Sequence, residues 1–218
     1  MIKIYYANIE LLEEQEQCEI WFEKLHHLRK EKIMRCKQTQ DQKRSLLAGI
    51  LLKIALEQEG FLYEDVVFEV QKYGKTVLKS VDGYTFSISH AGEFVLCCIS
   101  SQLVGADIEV REKAVFKEQA KARLGQMAKK VLSPMEYELF SQAGDEEKIS
   151  LFLKYWTRKE SYSKALGYGL QMDFSKIHTE EMEHFFWSDW LEKDCFVSVY
   201  AENDLTDIKV LRLQELKP

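Results

Sequence analysis

Apolar residues recur at three- and four-residue steps through a stretch from Glu10 to Gln58 that is nearly free of Gly and Pro, a spacing that predicts helices. The clearest starts near Asp41, where Leu47, Ile50, Leu51 and Ile54 fall on one face, and it stops near Gly60. A short strand precedes this stretch, at Ile2 to Tyr6. Strand-like runs follow at Val66 to Val70, Tyr84 to His90, Phe94 to Ser100 and Val104 to Val110, with short turn-forming links that imply antiparallel pairing. The period turns helical again from Ala114 to Leu166, with Ser133-Pro134 as a start signal and Gly167 as a stop. Strands return at Ile177, Phe185, Cys195 to Tyr200 and Ile208 to Leu213.

Helices followed by strands, twice, predict an α+β protein of two halves, 1–102 and 103–218. No Pro-rich linker parts them, so they should pack closely around a ligand cleft.

Composition narrows the function classes. The 218 residues, 46% hydrophobic and 30% charged, are those of an ordinary folded protein. No apolar run approaches a membrane span, and the N-terminus lacks a leader pattern. Five cysteines with no CxxC pair indicate neither a disulfide framework nor a zinc site, so a cytoplasmic location is expected. A net charge of −6 argues against nucleic-acid binding through bulk charge. Two local basic clusters remain, one from Arg29 to Arg44 and one from Lys117 to Lys130, each readable as a solvated helix face.

Candidate chemistry lies in three carboxylates. In Val104 to Val110 the two-residue period of a strand puts Asp107 and Glu109 on one face and Ala106, Ile108 and Val110 on the other. Roughly 6.6 Å between their Cα atoms would let both side chains converge on a hard cation, although an exposed acidic strand edge has the same pattern. On the helix before Gly167, Ile149, Phe152, Leu153 and Trp156 form an apolar stripe, and Glu160 sits within it. A carboxylate there needs a cation, a metal or a cleft, with Lys164 one turn on as the plain alternative partner. Ser89 and His90 point to opposite faces of their strand, which excludes a Ser/His catalytic pair. Cys97 and Cys98 read as core filler.

The blocks Phe86-Ser-Ile-Ser-His-Ala-Gly92, Val104-Gly-Ala-Asp-Ile-Glu109 and Trp156-Thr-Arg-Lys-Glu-Ser-Tyr-Ser-Lys164 resemble, in order and spacing, the motifs of phosphopantetheinyl transferases, most closely the surfactin-synthetase-activating type. Tyr73-Gly-Lys75 and the Arg44-Ser-Leu-Leu helix start add to the resemblance, which runs from about Tyr5 to about Tyr200. It implies a monomer of two pseudosymmetric α+β halves with antiparallel sheets, coenzyme A in the cleft between them, and Mg²⁺, or Mn²⁺, on its pyrophosphate. It further implies Asp107, Glu109 and Glu160 as metal-side carboxylates and Lys164 as a phosphate-neutralising cation, with Asp107, Glu160 and Lys164 as the catalytic set. Arg44, Lys75, Ser89 and His90, with Arg29 and Lys32, would hold the adenosine and phosphate end. An acyl or peptidyl carrier protein would be the acceptor.

Three departures affect the shape of the adenine pocket rather than its charge: Ala91 where a second serine is common, Ala106 for a bulkier apolar residue, and Thr76 where proline is frequent. Between Phe116 and Val131 a predicted stripe of Phe116, Ala120, Leu124 and Met127 leaves Lys117, Lys121 and Lys129 toward solvent, a candidate dock for an acidic carrier. Three carboxylates and a cation would also suit a metal-dependent phosphohydrolase, and a carrier- or nucleotide-binding module is the non-enzymatic alternative.

Overall fold

The computed structural model describes residues 1–111, 118–203 and 205–217. The first half runs β1 (Ile2–Asn8), α1 (Gln15–Glu23), α2 (His27–Arg35), α3 (Thr39–Gln58), a short hairpin β2 (Phe68–Val70) and β3 (Thr76–Leu78), then β4 (Thr85–Ala91) and β5 (Phe94–Ser100). The second runs β6 (Val104–Val110), α4 (Glu118–Val131), α5 (Pro134–Gln142), α6 (Asp145–Leu166), β7 (Phe186–Glu192), β8 (Cys195–Ala201) and β9 (Ile208–Arg212). Both halves thus repeat one order: a strand, helices, and a hairpin whose second strand pairs antiparallel with the first strand. β1 pairs with β5 and β4 with β5, as β6 pairs with β8 and β7 with β8.

Alternation along the strands sets the layers. Ile2, Ile4, Tyr6, Leu96 and Cys98 of the first sheet meet Val104, Ala106, Ile108, Val197 and Val199 of the second in one shared apolar cluster. The opposite face of the first sheet, with Tyr5, Val95, Cys97 and Ile99, packs on Leu47, Ile50, Leu51 and other apolar residues of α3. On the far side α6 lies against β6 and β8. The α+β reading therefore holds, as two sheets packed together between two long helices. Cys97 and Cys98 are core filler, and burial pushes the Cys97 thiol up to about 12.

Several expectations change. Strand β9 pairs parallel with β1, an exception to the antiparallel expectation, because the chain returns to the first sheet only after completing the second half. Residues 208–212 thus complete a sheet of the first half although they lie beyond position 102. Ile177 is not in a strand but follows a 3₁₀ turn, Phe174–Lys176, started by the Asp173 side chain accepting from the Ser175 amide. On α4 the inward residues are Leu124, Ala128 and Val131, whereas Met127 is 42% exposed, so the stripe is one step off the expected register. Lys121 pairs with Asp145 at 2.8 Å, while Phe116 and Lys117 lie outside the described residues.

The helix signals around the site are physical. Ser133 and Glu136 form a capping box at the start of α5, with Pro134 at its first turn. Gly167, at φ +77°, closes α6 in the left-handed conformation that a side chain would resist.

Candidate active site

Two elements carry the acids, and one glycine brings them together. A Cβ built on Gly105 of β6 would sit 1.9 Å from the Ser161 carbonyl oxygen and 2.5 Å from the Ala165 nitrogen, so only glycine lets α6 rest this closely on the strand. Next to it, Asp107 is 4% exposed, which removes the exposed-edge reading of the acidic strand. Its Oδ1 accepts from Ser89 Oγ at 2.7 Å and from Lys164 Nζ at 2.5 Å, while its Oδ2 is buried without a hydrogen-bond partner. Glu109, two residues on, accepts from the Trp156 indole N–H at 3.0 Å.

Glu160 lies on the same face of α6, one turn from Trp156 and one turn from Lys164, and shares the cleft wall with Asp107 and Glu109. Burial first, and then the negative charge of Asp107, pushes its carboxyl up to about 7, against the pull of Lys164. The plain alternative of a Glu160–Lys164 helix pair is not what forms: Lys164 also donates to Ser89 Oγ at 2.7 Å and is committed to the other half.

The cleft, about 630 Å³, runs between the halves. The same cleft is lined by Arg29, Lys32, Lys75 and His90. Loss of hydration lowers the Arg29, Lys32 and Lys75 pKa values, with the Arg29 charge adding to the effect on Lys32. His90 is also held below its ordinary value, by crowding first and then by Arg44, Lys164 and Lys32. Cations stripped of water in this way, two of them also crowded by neighbouring positive charge, form a site that a polyanion would suit. Arg44 stands one step back, donating to Asp41 Oδ1 at 2.6 Å and to the Gly92 carbonyl at 2.7 Å. Lys75 donates to the Ala165 carbonyl at the end of α6.

Three features escaped the sequence reading. Ser45 lines the cleft at 6% exposure with its hydroxyl unpartnered. Thr85, Ser87 and Ser89, alternate residues of β4, join the halves: Thr85 Oγ1 accepts from the Val104 amide, Ser87 Oγ accepts from the Ala106 amide, and Ser89 donates to Asp107. The period-two run Thr85-x-Ser87-x-Ser89 was the available signal. The third is Lys159, 0% exposed, whose ammonium lies 2.6 Å from the equally buried Glu136 and donates to the carbonyls of Val131 and Phe174. Glu136 in turn accepts from Thr179 and from the Ser133 amide. This satisfied ion pair ties α6 to α5 and to the turn after it, and fixes the helix that carries Glu160.

A divalent cation suits the acids in one respect. The unpartnered Asp107 Oδ2, and the burial and then the neighbouring negative charge that raise Glu160, are what a hard cation would resolve. Among the described residues no three acids, histidines or cysteines converge closely enough to enclose an ion unaided. A bound cation would therefore complete its shell with water and substrate phosphates.

Residues 13–102 match the family model described as 4′-phosphopantetheinyl transferase, N-terminal, and residues 103–202 that of the 4′-phosphopantetheinyl transferase superfamily. The 4′-phosphopantetheinyl transferase Sfp of Bacillus subtilis (strain 168) is 30% identical over 172 residues, 78% of this chain and 73% of that protein. The chain belongs to the 4′-phosphopantetheinyl transferase family. The similarity extends to the 4′-phosphopantetheinyl transferase ffp of Bacillus subtilis, 29% identical over 91% of this chain and 87% of that protein. The 4′-phosphopantetheinyl transferase gsp of Aneurinibacillus migulanus is 30% identical over 66% of this chain and 57% of that protein. The two family matches meet between β5 and β6, so the phosphopantetheinyl transferase cleft is built from both: cations and Ser89 from one, the three acids and Lys164 from the other.

Proposed function

We propose that this protein transfers the phosphopantetheine group of coenzyme A to a serine of an apo acyl or peptidyl carrier protein and releases adenosine 3′,5′-bisphosphate. The observation that carries the reading is the meeting of four basic side chains and three acids in one cleft. In this reading residues 1–102 and 103–218 act as two halves of one transferase, monomeric and cytoplasmic. Five unpaired cysteines, three of them buried, support a reducing compartment.

Arg29, Lys32, Lys75 and His90, with Arg44 behind them, bind and orient the phosphates and adenosine of coenzyme A; Ser45 adds a hydroxyl donor, and Ser89, whose O–H goes to Asp107, lines the same cleft. Asp107, Glu109 and Glu160 would hold Mg²⁺, or Mn²⁺, which when bound neutralises charge on the pyrophosphate. Lys164, kept in place by Asp107, lies beside the same region and favours charge building on the departing phosphate. The carrier serine oxygen forms a bond to the phosphorus bearing the pantetheine arm as the pyrophosphate link breaks toward adenosine bisphosphate. Glu160 takes the serine proton. No covalent enzyme intermediate is required.

Mass spectrometry of apo carrier protein incubated with this protein, coenzyme A and Mg²⁺ tests the reading. A serine carrying phosphopantetheine is the expected product. Consumption of coenzyme A without any carrier adduct would replace the transferase by a phosphohydrolase.

A further inference from the structure

The two strand carboxylates are gripped by the same face of α6, and differently. Asp107 is held by a cation, Lys164, while Glu109 is held one turn on the other side of Glu160 by the indole of Trp156. Positions 156, 160 and 164 thus form a ladder at four-residue spacing opposite 109 and 107. Trp156 is itself fixed: its ring stacks on Phe152 at 6.1 Å and 15°, and meets Phe174 edge-on at 5.7 Å. Glu109 needs such a hold more than Asp107 does. It lies where burial along β6 gives way, from Ile108 at 1% exposed to a half-buried carboxylate, and its side chain has one more rotatable bond.

We infer that Trp156 is a positioning residue, which aims the Glu109 carboxylate at the divalent cation through an uncharged donor. An indole N–H is a donor only, cannot itself ligate a hard cation, and carries no charge to cancel that of the carboxylate. A lysine in its place would neutralise the ligand it orients. Hydrogen-bond partners that orient metal ligands typically contribute about 10- to 100-fold in metal affinity.

The inference rests on the metal-assisted reading above, and the test separates the two. Calorimetric titration of Mg²⁺ into protein saturated with coenzyme A is compared for wild type, Trp156→Phe, Glu109→Gln, Asp107→Asn and the Trp156→Phe/Glu109→Gln pair. Trp156→Phe keeps the aromatic stack and loses the N–H, so Mg²⁺ affinity should fall about 10-fold or more, with metal-free coenzyme A affinity unchanged. In the Glu109→Gln background the same substitution should add no further loss. Wild-type Mg²⁺ affinity in Trp156→Phe, or full additivity in the pair, overturns the positioning role. Mg²⁺ binding that is absent in wild type, or indifferent to both Glu109→Gln and Asp107→Asn, overturns the metal reading itself. Indole emission supplies a readout that needs no Trp156 variant: Mg²⁺ should shift it in wild type and not in Glu109→Gln, and no shift in wild type contradicts the inference.

Discussion

Lys164 lies 2.5 Å from Asp107 Oδ1, on the neighbouring strand, rather than pairing with Glu160 on its own helix. The contact commits Lys164 to the acid most deeply set in the cleft wall. Asp107→Ala should therefore remove a cation ligand and free Lys164 together. Transfer to a carrier, followed by mass spectrometry, should fall about 100-fold or more, while urea unfolding shifts by no more than about 1 kcal/mol because Lys164 is partly solvated. Transfer within a few-fold of wild type would remove Asp107 from the site.

Glu160 should make the metal-free protein sensitive to pH. Its folded pKa, about 7, lies above the ordinary value of 4.5, so the folded state binds the proton more tightly and wild-type stability falls as pH rises between those values. Glu160→Gln cannot titrate. Its melting temperature relative to wild type should therefore climb from pH 4.5 to pH 7 and level off above, and Mg²⁺ should shrink the difference at pH 8. In transfer assays the variant should lose turnover heavily. A stability difference independent of pH would refute the raised pKa.

Ser45→Ala should separate stability from binding. The hydroxyl is buried and unpartnered in the free protein, so its removal should leave the melting temperature unchanged or higher. Coenzyme A affinity by calorimetry should drop by about 3- to 10-fold, the worth of one neutral hydrogen bond. Lower stability with unchanged affinity would mean that Ser45 serves the fold alone.

Gly105→Ala probes the seat of α6. The obstructing atoms are backbone, which cannot rotate aside, so the helix must lift from β6. A destabilisation of about 3 kcal/mol in urea is expected, at the upper end for overpacking, with a larger loss of transfer than of coenzyme A binding. Unaltered transfer would show that the acids tolerate a displaced helix.

How much of this was legible in the sequence depends on how far each feature reaches along the chain. The acid pair of β6 followed from the period of a strand, and the misplaced Glu160 from the period of a helix, because both are local. The Gly167 stop and the Ser133-Pro134 start were legible for the same reason. The partner of Lys164 was not, since helical spacing points to Glu160 and only packing brings β6 nearer. Nor was the Lys159–Glu136 pair, in which a lysine that reads as surface is wholly buried. Ile177 misled as a lone apolar residue without a period, and Met127 because a helix stripe one residue out of register has nearly the same composition.

The parallel pairing of β9 with β1 has a consequence for biosynthesis. β1 is made before the other elements of both halves, and the strand that covers its outer edge is made only after β6 to β8. Until then the nascent first half carries an open sheet edge, a template for wrong partners. Folding of the half with the basic side chains is thereby coupled to completion of the half with the acids, so a chain interrupted between the halves yields a sticky fragment rather than a separate coenzyme A-binding module.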